Sequence, residues 1–156
     1  MDMITIHRGD VLNSGADVIA HGVNCSGGFG SGVAGTIAER LPAVKDAYLQ
    51  KFNEVGWELG EVQFVPIGTS TGSAAIANCA TQYNYGSAGK RYCSYGHIKE
   101  CMIRLRDFMS TSSKENLILA MPRIGAGLGG GDWKIIEDII LEVFSDSNIE
   151  VQVWVL

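Results

Sequence analysis

With 156 residues, 46% of them hydrophobic, the chain is long enough to bury a two- or three-layer core, and a single domain over residues 1–156 is expected. A formal charge of −5, with no basic cluster beyond Gly89–Tyr92, argues against gripping a nucleic-acid backbone, so no nucleic-acid partner is expected. The opening "MDMITIHRGD" lacks a leader pattern, no apolar run is long enough for a bilayer, and the four scattered cysteines have no C-x-x-C spacing; a cytoplasmic protein with free thiols and no membrane partner is the expectation.

In chain order, "MITIHRGDV" alternates like a strand and "NSGA" is a turn. "DVIAHGVN", residues 17–24, reads as a buried strand. A glycine run follows, and then Val33, Ala34, Ile37, Ala38 and Leu41 recur at helical spacing. Pro42 ends that helix or opens the next, whose inward face is Val44, Ala47, Tyr48 and Phe52. "EVQFVPIG" and "AAIANCAT" read as two strands. From His97, a helical stripe comprises Ile98, Cys101, Met102, Leu105, Phe108 and Met109. "NLILAMP" has the short apolar character of a central strand. Asp132 caps a helix expected to turn Ile135, Ile136, Ile139, Ile140, Val143 and Phe144 inward, and "IEVQVWVL" closes as a strand. Strands alternating with helices predict an α/β fold with a mixed or mainly parallel sheet and helices on both faces.

Ten of the 20 glycines gather in two runs, "GGFGSGVAG" and "GAGLGGGDW", each after a strand and before a helix. Ligands of such sheets bind beyond the carboxyl ends of the strands, where helix N-termini offer unpaired amides. Two such loops from neighbouring strands can clasp a diphosphate; tight turns needing positive φ are the alternative. The first run holds a literal G-x-G-x-x-G, Gly30–Gly35, a weak signal alone. Neither run continues into Lys-Ser/Thr, so no P-loop is present. A Rossmann enzyme fits poorly, because the motif follows the second strand and no length remains for a substrate domain.

"GDVLNSGADVIAHGVNCSGGFGSGVAGTIAERLP", "MPRIGAGLGGGDWKIIEDIILEVF" and the terminal "VQVWVL" together resemble the macrodomains, over nearly the whole chain. Within them the chain looks closest to the branch of the yeast-type ADP-ribose-1″-phosphate phosphatase and the terminal ADP-ribose protein glycohydrolase. The resemblance implies a three-layer α/β/α macrodomain with a mixed, mostly parallel central sheet and a cleft for ADP-ribose or a 1″-substituted ADP-ribose. It implies that Asp10, beside Val11, accepts from the adenine amino group, although Asp10 as a turn or cap residue stays open. Asn24 would meet the distal ribose. Gly30, Gly32 and Val33 would carry the first phosphate-side loop, and Ile124, Gly125, Ala126, Gly127, Leu128 and Gly129 the second. Val155 and Leu156 would lie near the adenine, with Trp154 turned the other way by strand alternation.

Catalysis is less plainly written. The glycohydrolase relies on a Lys where this chain has Thr81, Gln82 and Tyr83, and on an Asp where it has Gly129, so a covalent Lys–Asp route is not expected. The phosphatase implicates a His matching His21, while its acidic partner aligns with Ser73. His21 and Asn24 are therefore the candidate catalytic pair: His21 to activate a water or protonate a leaving oxygen, Asn24 to position the ribose or water. A His bonded to backbone at a strand end is the competing reading. Cys25 has no identifiable partner base and reads as a packed thiol. His7 and His97 show no metal-ligand spacing, and neither metal nor cofactor is expected. "QYNYGSAGKRYCSYGH", residues 82–97, is expected as a mobile loop whose Tyr83 or Tyr85 stacks on ligand. Lys90 and Arg91 are either partners for a terminal phosphate or a solvated surface pair, the latter preferred. The functions that remain are removal of a 1″ group, phosphate favoured; ADP-ribose reading without turnover; de-ADP-ribosylation of protein; and, least favoured, NAD binding of Rossmann type.

Overall fold

The computed structural model describes residues 4–30, 32–68, 73–84, 91–127 and 129–156. β1 (Ile4–Arg8) leads through Gly9 into a single 3₁₀ turn, Val11–Asn13, and then β2 (Val18–Asn24). Helices α1 (Gly32–Arg40) and α2 (Pro42–Glu54) follow, joined through Leu41 alone, with Pro42 at the start of α2 where its missing N–H costs nothing. β3 (Val62–Pro66), β4 (Ala75–Gln82), α3 (Tyr95–Met109), β5 (Leu117–Met121), α4 (Trp133–Phe144) and β6 (Ile149–Val155) complete the chain.

The strands form one sheet in the order β1-β6-β5-β2-β4-β3. Only the edge strand β3 runs antiparallel; the other neighbours pair in parallel. α3 and α4 cover one face, through Ile98, Met102, Leu105, Ile136 and Phe144. α1 and α2 cover the other, through Ile37, Val44 and Tyr48. This is the three-layer α/β/α arrangement expected from the sequence. The alternation of burial is nearly lost in β2 and β4, central strands buried on both sides, and is kept in β6.

Several local expectations need correction. The 3₁₀ turn after β1 carries no periodic signal at three residues and was not foreseen; Asp10 makes it by accepting from the Leu12 amide at 2.9 Å. α3 starts two residues earlier than its apolar stripe, at Tyr95. Phe108 and Ile135 are 44% and 42% exposed rather than inward. Phe108 finds its partner sideways, stacked on Phe64 of the edge strand at 3.8 Å between ring centroids. Asp132 does cap α4, accepting from the Lys134 amide at 2.9 Å. Asp132→Ala should cost about 1 kcal/mol of stability, measurable by urea denaturation, since one first-turn amide loses its acceptor.

Candidate functional site

β2 lies directly beside β5, so the loops that leave their carboxyl ends stand next to each other at the point where the chain direction of the sheet's winding reverses. Between them opens a cleft with two compartments of about 710 Å³ and about 630 Å³. Gly32, Val33, Pro122, Arg123 and Gly127 line both, so the compartments are continuous. The inner compartment reaches His21, Asn24, Gly30, Ile124, Gly125 and Gly129. The outer one reaches Asp10, Val11, Ala126, Trp154, Val155 and Leu156.

The first glycine loop is held from within by Asn24. Its Oδ1 accepts from the Ser26 and Gly28 amides at 3.0 and 3.1 Å and from the Tyr48 hydroxyl at 2.9 Å, while its Nδ2 donates to the Gly28 carbonyl at 2.7 Å. Tyr48 also receives the Gly27 amide at 3.1 Å, and its single hydroxyl hydrogen is shared between Asn24 Oδ1 and the Asn24 carbonyl, the latter at 2.7 Å. Asn24 is 7% exposed, and one Nδ2 hydrogen is left for a ligand. Beyond this brace come the first-turn amides of α1, which have no acceptor within their own helix.

The second loop turns on itself: the Gly131 amide donates to the Gly125 carbonyl at 2.8 Å and the Gly130 amide to that of Gly127 at 3.0 Å. Gly125 has φ +78°, and a Cβ there would sit 2.9 Å from the Ile98 side chain. At Gly129 a Cβ would lie 2.7 Å from the Gly125 carbonyl oxygen, closer than carbon and oxygen can approach. An Asp at Gly129 would need the loop rebuilt, so its absence is a property of this backbone and not merely a one-residue change.

His21 lies near the floor of the inner compartment, on the α1/α2 face of the sheet, and is 1% exposed. Its Nε2 meets Asn78 Oδ1 at 2.5 Å, and Nδ1 has no protein partner. The Phe29 ring stands edge-on to the imidazole at 5.4 Å. Burial pushes the His21 pKa down from 6.5 to about 4, opposed only in part by the bond to Asn78. The ring is therefore neutral near pH 7, which disfavours the role of proton donor to a leaving oxygen and leaves that of acceptor. Thr81 Oγ1 is also buried without a partner, but it approaches Gly22 and the Ile124 side of the sheet, away from His21.

In the outer compartment Asp10 serves as the cap, as one reading of the sequence had it, and its Oδ2 takes a 2.8 Å ion pair from Arg40. A carboxylate retains lone pairs for a further donor. Trp154 lines this compartment, against the expectation that alternation would turn it away. Its ring stacks on His7 at 5.0 Å, and its Nε1 donates to Gln152. Because β6 ends at the cleft mouth, both of its last side-chain directions border the opening.

Other candidates fall elsewhere. Leu128, Tyr85 and Lys90 lie outside the described residues. Tyr83 is 60% exposed and lines neither compartment; Arg91 lies over the Tyr95 ring at 4.4 Å. Ser73 is buried away from the cleft. Burial raises the Cys25 thiol to about 11, the opposite of an activated nucleophile. Among the described residues, no group of three His, Cys, Asp or Glu could hold a metal ion. Arg123, Phe29 and Thr81 are lining residues that sequence reasoning missed; Arg123 in "MPRIG" and Phe29 inside a run of glycines are the two whose local context offered a signal.

An α/β/α sheet thus sets two glycine loops side by side at the carboxyl ends of adjacent parallel strands, with a cleft between them. Residues 20–140 match the model of the Macro domain, and the chain belongs to that family. It is 32% identical to a 17.5 kDa protein of the tk-vs intergenic region of Enterobacteria phage T4, over 94% of each chain. It is 24% identical to the ADP-ribose 1″-phosphate phosphatase of Saccharomyces cerevisiae, over 97% of this chain and 98% of that one. It is 29% identical to the DNA ADP-ribosyl glycohydrolase of Mycobacterium tuberculosis, over 91% of this chain but only 39% of that protein. Among solved structures, a Bacteroides thetaiotaomicron protein is 30% identical with a TM-score of 0.83, covering 98% of this chain and 99% of that one. The macrodomain of Mycobacterium tuberculosis DarG superposes with a TM-score of 0.84 at 24% identity, covering 99% and 98%.

Proposed function

We propose that this protein binds ADP-ribose in the cleft between its two glycine loops and removes the phosphate from ADP-ribose 1″-phosphate. The observation that carries the reading is the cleft itself: two amide-rich loops on adjacent strands, with Asp10 and Trp154 at one end and a neutral His21 at the other. The loops and the α1 N-terminus suit the diphosphate, and the Asp10–Trp154 end suits an aromatic base with an exocyclic amine. The ribose end then falls at His21 and Asn24.

Hydrolysis of a phosphate monoester goes through a loose transition state in which charge spreads over the equatorial oxygens. Such a reaction needs a placed water and oriented donors more than a strong base. An imidazole near pKa 4 is a poor proton abstractor at neutral pH, but it accepts a hydrogen bond from water and can orient it. Arg123, which lines both compartments, supplies positive charge beside the phosphates.

The 29% identity to a DNA ADP-ribosyl glycohydrolase supports a second reading, cleavage of ADP-ribose from a nucleic-acid base. The sequence argument against backbone gripping does not reach a substrate held only by its ADP-ribose. The Gly129 backbone, which has no room for an Asp, disfavours the Lys–Asp covalent route of the protein glycohydrolase and leaves other hydrolytic routes open.

The experiment is phosphate release from ADP-ribose 1″-phosphate, with calorimetric ADP-ribose binding on the same sample. Turnover in the wild type, lost by about a hundredfold or more in His21→Ala with affinity retained, is the expected result. Binding without phosphate release would make the protein a reader or a hydrolase of another linkage, and absence of binding would remove ADP-ribose altogether.

A further inference from the structure

Three polar side chains stand at one register across the sheet, on the α1/α2 face. His21 of β2 pairs with Asn78 of β4, and Asn78 pairs with Gln63 of β3. They are linked in sequence: His21 Nε2 to Asn78 Oδ1 at 2.5 Å, Asn78 Nδ2 to Gln63 Oε1 at 3.0 Å, and Gln63 Nε2 to the Ala47 carbonyl of α2 at 3.0 Å. Their neighbours on this face are Ile19, Val23, Val65, Ile76 and Ala80, all apolar. A row of amides in such surroundings is costly unless each member is satisfied, so its direction is not free to vary.

That direction can be read from one end. The Ala47 carbonyl only accepts, so Gln63 must turn its NH₂ toward it and its Oε1 toward Asn78. Oε1 only accepts, so Asn78 must present its own NH₂ there and its Oδ1 to the imidazole. Oδ1 in turn only accepts, so Nε2 must carry the hydrogen. We infer that this row, anchored on the Ala47 carbonyl, fixes His21 as its Nε2–H tautomer and leaves Nδ1 as a bare lone pair, the acceptor for one hydroxyl or water at the ribose end of the cleft. Gln63 and Asn78 are thereby positioning residues, although neither lines the cleft.

The lone pair has no protein partner and is shielded from solvent. A buried acceptor left unpaired is costly, and a single donor brought to it would relieve that cost. Low basicity is consistent with this use, because the ring stays neutral while it accepts. The assignment of Nδ1 to a ligand donor rests on the ADP-ribose reading of the cleft; the tautomer does not.

Long-range ¹H–¹⁵N correlation spectra of ¹⁵N-histidine-labelled protein report the tautomer directly, with His21 assigned by His21→Gln. The expected wild-type spectrum near pH 7 shows a protonated Nε2 and an unprotonated Nδ1. Gln63→Leu releases the Asn78 amide, and the His21 signals should move toward a mixture of tautomers. With it, kcat should fall on the order of tenfold, the scale of outer hydrogen bonds that orient an imidazole, and KM should change less than twofold. Gln63→Glu, once its carboxyl is protonated, donates its hydroxyl to the Ala47 carbonyl and keeps an acceptor facing Asn78, and in that state should restore the wild-type tautomer. A wild-type His21 protonated on Nδ1 or on both nitrogens overturns the inference, as does an unchanged tautomer in Gln63→Leu. If the tautomer is as expected but calorimetry finds no ADP-ribose binding, the proposed function fails and the row stands.

Discussion

Asn24→Ala should destabilise the protein by about 3 kcal/mol and weaken ADP-ribose binding by at least about tenfold. The truncation leaves the Ser26 and Gly28 amides without their acceptor, the Gly28 carbonyl without its donor and the Tyr48 hydroxyl with one partner fewer. Each buried group so orphaned costs about 1–3 kcal/mol, reduced where loop groups reach water. The affinity loss follows because the loop that carries Gly30 toward the cleft is no longer fixed. Tyr48→Phe offers a milder probe: it removes the ties to Asn24 and to the Gly27 amide from below while leaving the asparagine in place. Urea denaturation and calorimetry on both variants separate two roles for Asn24. If affinity falls in both in step with stability, Asn24 acts through the loop. If it falls in Asn24→Ala but not in Tyr48→Phe, the remaining Nδ2 hydrogen meets the ribose directly, as the family resemblance implies.

The contrast between those roles marks the boundary of what the sequence discloses. Periodicity and short apolar runs located the helices α1 to α4 and the strands β1 to β6, though not the 3₁₀ turn at Val11–Asn13, because each is a local pattern of burial, and the two strand–glycine–helix units announced a site. The adjacency of those units is a matter of strand order, since β2 and β5 are nearly a hundred residues apart in the chain yet share an edge. No local pattern encodes that pairing; only the family resemblance anticipated it. Tyr48 shows the same limit at a single residue. Its helical spacing places it correctly in the core, but its hydroxyl is the tie that holds the glycine loop, 24 positions earlier. Gln63 and Asn78 were invisible for a similar reason. In "EVQFVPIG" and "AAIANCAT" they look like isolated polar residues in apolar strands, and only the register across three strands joins them to His21. Trp154 was misjudged because alternation gives the face of a side chain and not which face borders a cleft.

Acid should reveal His21 in the stability of the fold itself. The imidazole has an ordinary pKa of 6.5 when the chain is unfolded and about 4 when buried. Between those values the unfolded state binds the extra proton, so stability rises with pH across this window and is lost as pH falls from 6.5 toward 4. The shift corresponds to about 3 kcal/mol, fully present above the unfolded value and gone below the folded one. Many carboxylates also titrate on the acid side, and their contributions are shared by a variant that lacks only the imidazole. The informative quantity is therefore the difference between wild type and His21→Gln, measured by urea denaturation at about pH 7.5 and about pH 4.5. The wild type should lose about 2–3 kcal/mol more than the variant over that interval. Parallel losses would mean that His21 titrates at its ordinary value, and hence that the ring is protonated in mild acid and free to donate. The neutral acceptor assigned to it would then hold only above pH 6.5. A steeper wild-type loss ties the same burial that weakens the fold in acid to the property the site uses at neutral pH: a base kept bare because the protein cannot afford to charge it.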